Sequence, residues 1–191
     1  MQNVKKPSNL NGLFGLFLGL VISVAVSPAS GQGLMSETDM IKGARTGSLG
    51  VMERGYIEGD NPNARGRDGN PPIIIAAENG YVDAVRYLIY RKARIDDRGA
   101  QERTALTVAA ARGDVDIMKL LLEAGADIDK TGMRKEVPII IAAREGHVGA
   151  VKLLIEKGAY LEDTDLTGRT ALDWARQRRN PELLRVLEEA Q

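Results

Sequence analysis

The chain has 191 residues, 43% hydrophobic, 27% charged and 4% aromatic, with 26 basic against 26 acidic side chains and no cysteine. Such a composition excludes wholesale disorder, and zero net charge removes any global electrostatic case for nucleic acid or an anionic membrane. Disulfides, thiol catalysis and cysteine-based zinc sites are excluded outright.

In chain order, Lys5 and Lys6 come first, ahead of an apolar run from Leu13 to Val26 and then Ser27-Pro28-Ala29-Ser30-Gly31. A basic start, a short apolar stretch and small residues at its exit are the parts of a secretory signal peptide. Residues 1–31 are read as that leader, cut near Ala29 or Gly31, with a short linker over 32–37. The run contains Gly15 and Gly19 and falls short of the roughly 20 residues a spanning helix needs. No stable membrane insertion is therefore expected after cleavage; an uncut leader would make the chain a membrane-tethered spacer instead. With neither a cysteine nor an Asn-x-Ser/Thr sequon, the exported chain reads as bacterial and periplasmic.

Beyond residue 38 the sequence repeats itself. Ala76-Ala77, Ala109-Ala110 and Ala142-Ala143 follow one another at a 33-residue step, and a further step lands on Ala175. Gly47, Gly80, Gly113 and Gly146 keep the same interval, as do the apolar pairs Leu88-Ile89, Leu121-Leu122 and Leu154-Ile155. Each unit predicts two short helices. The first spans about two turns, with Pro72 and Pro138 suited to its opening turn and the beat glycine ending it at positive φ. The second is typified by Val115 to Glu123, whose Val115, Met118, Leu121 and Leu122 fall on one face. Gly59, Gly125 and Gly158 close second helices. At the far end, Asn180-Pro181 opens the last helix, and Glu188 takes a column held by Ile89, Leu122 and Ile155, as a terminal unit with a wettable outer face requires.

Thr-Ala-Leu-Thr-Val-Ala-Ala at 104–110, Leu-Leu-Glu-Ala-Gly-Ala-Asp-Ile-Asp at 121–129, Gly-His-Val at 146–148 and Asp-Leu-Thr-Gly-Arg-Thr-Ala-Leu at 165–172 resemble ankyrin-repeat segments. The resemblance covers roughly residues 38 to 191. It implies an all-α solenoid of stacked helix–turn–helix repeats with no sizeable sheet. The units are a degenerate repeat at 38–66, full repeats at 67–99, 100–132 and 133–165, and a truncated capping repeat at 166–191. The chain also departs from the family. Ile74, Thr107, Ile140 and Asp173 stand where the family usually has a histidine that bonds between repeats, so apolar packing is expected to replace it in two units. Lys92 stands in the column of Gly125 and Gly158, and Glu102 and Lys135 in the column of Gly69 and Gly168. The glycines at 43, 47 and 50 suggest a loosely built first repeat.

Signals for chemistry are weak. His147 is the only histidine, too little for an ordinary transition-metal site, and it sits in a structural column of the repeat. Asp96-Asp97, Asp127, Asp129, Glu162-Asp163 and Asp165 recur because turns recur and favour Asp; their spacing is not that of a calcium loop. Trp174 reads as a core plug. No cofactor or metal is implied, and the chain is not expected to be an enzyme.

The resemblance implies that partners are held by turn tips and first-helix ends on the concave side. Those columns carry Arg65, Arg67, Arg98, Arg103, Arg112, Arg134, Arg144, Arg169 and Arg178, and no lysine. Arg presents a planar, multi-donor head to carboxylates and is enriched at interface cores where Lys is depleted. The expected function is a monomeric protein-interaction module that binds an acidic surface of another exported protein, inhibiting or stabilising it. The acidic residues of the chain are expected elsewhere, on the outer helices and opposite turns. Nucleic acid is disfavoured because no aromatics interleave the basic columns. The alternative is a small hydrolase working with carboxylates in the concave groove.

Overall fold

The computed structural model describes residues 37–132 and 135–191; the leader expected over 1–31, the linker expected over 32–37 except its last residue, and Arg134 lie outside the described residues. Ten α-helices form five antiparallel pairs among them. The first helices are α1 (Asp39–Thr46), α3 (Pro72–Asn79), α5 (Ala105–Arg112), α7 (Pro138–Glu145) and α9 (Ala171–Arg178). Their partners are α2 (Leu49–Ile57), α4 (Val82–Tyr90), α6 (Val115–Glu123), α8 (Val148–Glu156) and α10 (Pro181–Glu188). First helices stack on first helices and second on second, α1 through α9 and α2 through α10. The described residues contain no strand, so the all-α solenoid read from the repeat is the fold.

Sequence explains the short helices. Pro72 and Pro138 open α3 and α7 at the first turn, where a missing N–H leaves nothing unpaired. Gly47, Gly80, Gly113 and Gly146 close the first helices at φ between 72° and 85°, a left-handed conformation that glycine adopts without a Cβ penalty. Asn180 caps α10 through its side chain, which accepts from the Leu183 N–H. The paired alanines Ala76-Ala77, Ala109-Ala110 and Ala142-Ala143 are wholly buried; a larger side chain there would force the stacked helices apart.

The vacant histidine column is resolved in two ways. Ile74 and Ile140 are fully buried, each contributing about 2 kcal/mol of apolar burial. Thr107 and Asp173 instead close reciprocal capping boxes with Thr104 and Thr170 at the starts of α5 and α9. Four non-glycine residues bear the strain of missing glycines: Lys92 at φ 61°, Glu102 at 57°, Lys135 at 57° and, in the beat column at the end of α9, Arg179 at 53°. Positive φ costs such residues roughly 1–2 kcal/mol each. Around Glu102 the turn tip tightens into a 3-10 turn over Ala100–Glu102, with Gln101 also at positive φ.

The first repeat is not loose. Gly43 is buried in α1, where a Cβ would meet the Met52 backbone of α2, and Met40, Ile41, Ala44 and Met52 are buried with it. Glycine here permits close helix packing rather than slack.

Candidate functional site

The side that the resemblance marks as concave is built by the ends of the first helices and by the turn tips before them. Each tip is closed by a backbone bond across five residues. Gly66 donates to Asn70, Gly99 to Arg103, Gly132 to Glu136 and Asp165 to Arg169. A cavity of about 480 Å³ opens on this side between the central and C-terminal repeats, bordered by Arg103, Thr107, Ala111, Glu136, Ile141, Arg144, Glu145 and Trp174.

The arginines expected here are placed as follows. Arg98 pairs with Glu102 at 3.1 Å, and Arg103 with Glu78 at 2.5 Å, bridging from its own tip back to α3. Arg112 pairs with Asp114 at 2.6 Å. Arg144 holds Glu136 and Glu145 together, and Arg178 also reaches Glu145. Arg65 donates to the Gly69 carbonyl at 2.8 Å and Arg169 to Thr167 Oγ1 at 3.0 Å. Arg67 is exposed on the first tip. Carboxylates therefore sit among the concave arginines rather than only on outer surfaces. The positive columns and their counter-charges fold to one face because a repeat places tip and helix end side by side. Partly exposed pairs of this kind contribute little stability each, typically under about 1 kcal/mol.

Arg112, His147 and Arg178 have a second role. The Arg112 guanidinium donates to the Glu78 carbonyl at 2.9 Å, His147 Nε2 to the Ala111 carbonyl at 3.0 Å, and Arg178 to the Arg144 carbonyl. Those three carbonyls lie 33 residues apart, each at the open end of a first helix that has spare acceptors. The same side chains cover the beat glycine of the preceding repeat. Arg112 lies over Gly80, His147 over Gly113 and Arg178 over Gly146, and the Tyr81 ring lies over Gly47. His147 is thus a fastener between repeats.

The opposite turns carry a matching ladder. Asn63 Oδ1 accepts from the Arg94 N–H at 2.8 Å, the Asp96 carboxylate from the Asp127 N–H at 3.1 Å, and Asp129 Oδ1 from the Tyr160 N–H at 3.1 Å. Donors and acceptors alike recur every 33 residues. This column, Asn63, Asp96 and Asp129, fastens the first four repeats one to the next.

At the C-terminal end of the cavity, Trp174 is half-buried, not a core plug: it packs against the core and also borders the cavity. Its Nε1 donates to Asp165 Oδ2 at 3.0 Å. Arg169 lies over the ring at 5.1 Å and Arg144 at 6.0 Å, distances suited to cation–π attraction. Burial of Asp165 pushes its carboxyl up, but the Thr167 hydroxyl, the Arg169 and Thr167 N–H groups and the Trp174 indole together hold it down at about 2. Sequence reasoning missed this cluster. Its one visible signal is that Asp165 replaces a glycine column, Gly66, Gly99 and Gly132, at the closing position of the tip.

The family model for ankyrin repeats (3 copies) matches residues 41–132 and 129–190. The chain belongs to the ankyrin-repeat family. Ankyrin repeats are in general protein–protein interaction modules, and the family is typically non-enzymatic. A search of curated proteins returned no match. No helix among the described residues of this ankyrin-repeat chain is long and apolar enough to cross a membrane. Those residues also hold no group of three or more His, Asp or Glu side chains placed to bind a metal ion.

Proposed function

We propose that this ankyrin-repeat protein is a binding module of the bacterial envelope that docks its concave face onto another exported protein, inhibiting or stabilising it. The observation that carries this reading is the concave cavity of about 480 Å³, with an apolar floor of Ala111, Ile141 and Trp174 and guanidinium walls from Arg103 and Arg144. Apolar floor and charged rim together are the anatomy of a protein-binding surface. The arginine columns favour an acidic partner surface. The two carboxylates of the cavity, Glu136 and Glu145, both converge on Arg144, which suits holding a guanidinium rather than shuttling a proton.

The test fills the cavity without disturbing the core. Ala111 is half-buried at the end of α5, and Ala111→Trp should abolish capture of the partner from an envelope extract while the thermal melt stays within a few degrees. The partner is identified by mass spectrometry from the wild-type capture, and undiminished capture by the variant would remove the concave face from consideration. Export is tested separately: the mature mass should begin near Ser30 or Gln32, and a mass retaining the leader would favour the membrane-tethered spacer.

A further inference from the structure

Arg169 differs from its neighbours. Arg98, Arg103, Arg112, Arg144 and Arg178 pair with carboxylates, whereas Arg169 gives a side-chain N–H to a neutral oxygen, Thr167 Oγ1, and rests on Trp174. Asp165 fixes both parts of the stack. It accepts the Trp174 indole N–H at 3.0 Å and the Arg169 backbone N–H at 3.2 Å. Asp173 feels the Arg169 charge, but its carboxylate is occupied by the Thr170 N–H and hydroxyl and by Arg176. A guanidinium has five N–H donors in a rigid fork. Here it is exposed, steadied from behind by an aromatic face, and placed where the cavity ends.

Resting on the concave-face reading above, we infer that Arg169 and Trp174 form an anchor for one side-chain carboxylate of an extended partner segment. The Asp or Glu of that segment takes the open donors of Arg169. An apolar side chain beside it lies in the cavity against Trp174, Ile141 and Ala111. Charge complementarity selects the occupant: the cations deeper in the cavity are already matched by Glu78, Glu136 and Glu145, leaving room for one added negative charge at Arg169. A polyanion such as nucleic acid needs a run of cations to neutralise successive phosphates, and it would face Glu136, Glu145, Asp165 and Asp173 at close quarters. The stack holds Arg169 in place before binding, so less freedom is lost when the carboxylate arrives.

Trp174 is the single tryptophan of the chain, so its emission reads the anchor directly. A library of random short peptides displayed on phage is panned against the full chain, and the selected peptide is titrated against it as a synthetic capped peptide while Trp174 emission is followed. Selected peptides should carry Asp or Glu next to an apolar residue. Exchanging that acid for its amide should weaken binding about 10-fold or more, as loss of a charge-assisted bond does. Arg169→Gln should weaken the acidic peptide to the same level and leave the amide peptide unchanged, while Arg86→Gln on the exposed side of α4 should alter neither. If acid and amide peptides shift Trp174 emission with equal affinity, the anchor is overturned and the concave-face reading stands. If no selected peptide perturbs Trp174, or Ala111→Trp, followed by titration calorimetry because it adds a second tryptophan, fails to block those that do, both fall together.

Discussion

On the outer-turn edge of the helix stack, Asn63, Asp96 and Asp129 repeat one solution, a short side-chain oxygen accepting a backbone N–H of the next repeat. On the opposite edge, at the ends of the first helices, Arg112, His147 and Arg178 reach the same kind of carbonyl from different columns. The difference lies in which partner the backbone supplies. On the outer edge the backbone presents an N–H at a fixed place close to the preceding turn, and only a short Asx side chain has the right reach. On the inner edge it presents a helix-end carbonyl beside an open glycine, and any donor long enough to cross that glycine will serve. Where Tyr81 or His147 covers the glycine, the Arg column holds Asn79 or Glu145; where Arg112 or Arg178 does so, the aromatic column holds Asp114 or Asn180. Redundancy on one edge and strictness on the other follow from geometry.

The comparison is broken hardest at the glycine itself. Gly113→Val puts a branched side chain at φ 72°, where a Cβ alone would come within 2.7 Å of the His147 ring. The expected loss is ~3 kcal/mol or more, read by urea unfolding; a loss below about 1 kcal/mol would show that the inner edge does not depend on that crossing.

Acid should act next, at the C-terminal tip. Asp165 has a folded pKa of about 2 against an ordinary 3.8, so between those values the unfolded chain binds more protons. The stability it contributes is complete above pH 4 and is lost as pH falls through 2, on the order of 2 kcal/mol. Asp165→Asn should flatten that part of the stability profile, with Trp174 fluorescence as the probe. An unchanged acid limb would contradict the cluster's assigned role.

Single rungs should cost about 1 kcal/mol each. Asp96→Ala and Asp129→Ala should match one another closely, whereas Arg112→Ala, His147→Ala and Arg178→Ala should scatter. Amide exchange at Asp127 and Tyr160 should quicken in the matching outer-edge variant only. An outer edge that scatters as widely as the inner would erase the distinction. The smallest effect is a gain: Lys92→Gly relieves a residue at φ 61° and should stabilise by about 0.5–1 kcal/mol, while Gly125→Lys should do the reverse.

Much of this is legible in the sequence. The glycine beat, the proline-opened helices and the capped last helix follow from local chemistry, and local chemistry is written residue by residue. The departures at Lys92, Glu102 and Lys135 were visible as missing glycines, and their positive φ is the price of keeping the repeat in step. What stayed hidden is whatever depends on which side of a short helix faces its neighbour. Trp174 reads as core from its place beside Leu172 and Ala175, yet it also borders the cavity. The Asx columns were visible as recurring acids, but their bond to a backbone N–H 31 residues ahead appears only once two repeats are stacked. The arginine columns were likewise visible, while their pairing with Glu78, Glu136 and Glu145 depends on the stacking that brings helix ends and tips together.

The outer ladder has one further consequence. Each rung joins a side chain to the backbone of the following unit and to nothing beyond it, so the repeats at 67–99 and 100–132 each carry one acceptor forward and one donor back. A gene segment encoding a whole unit could be copied in tandem and the new copy would meet both neighbours with matching hands. Insertion of a single residue would instead shift Asp96 or Asp129 off its rung. Lengthening by whole modules is the change this architecture accepts most easily.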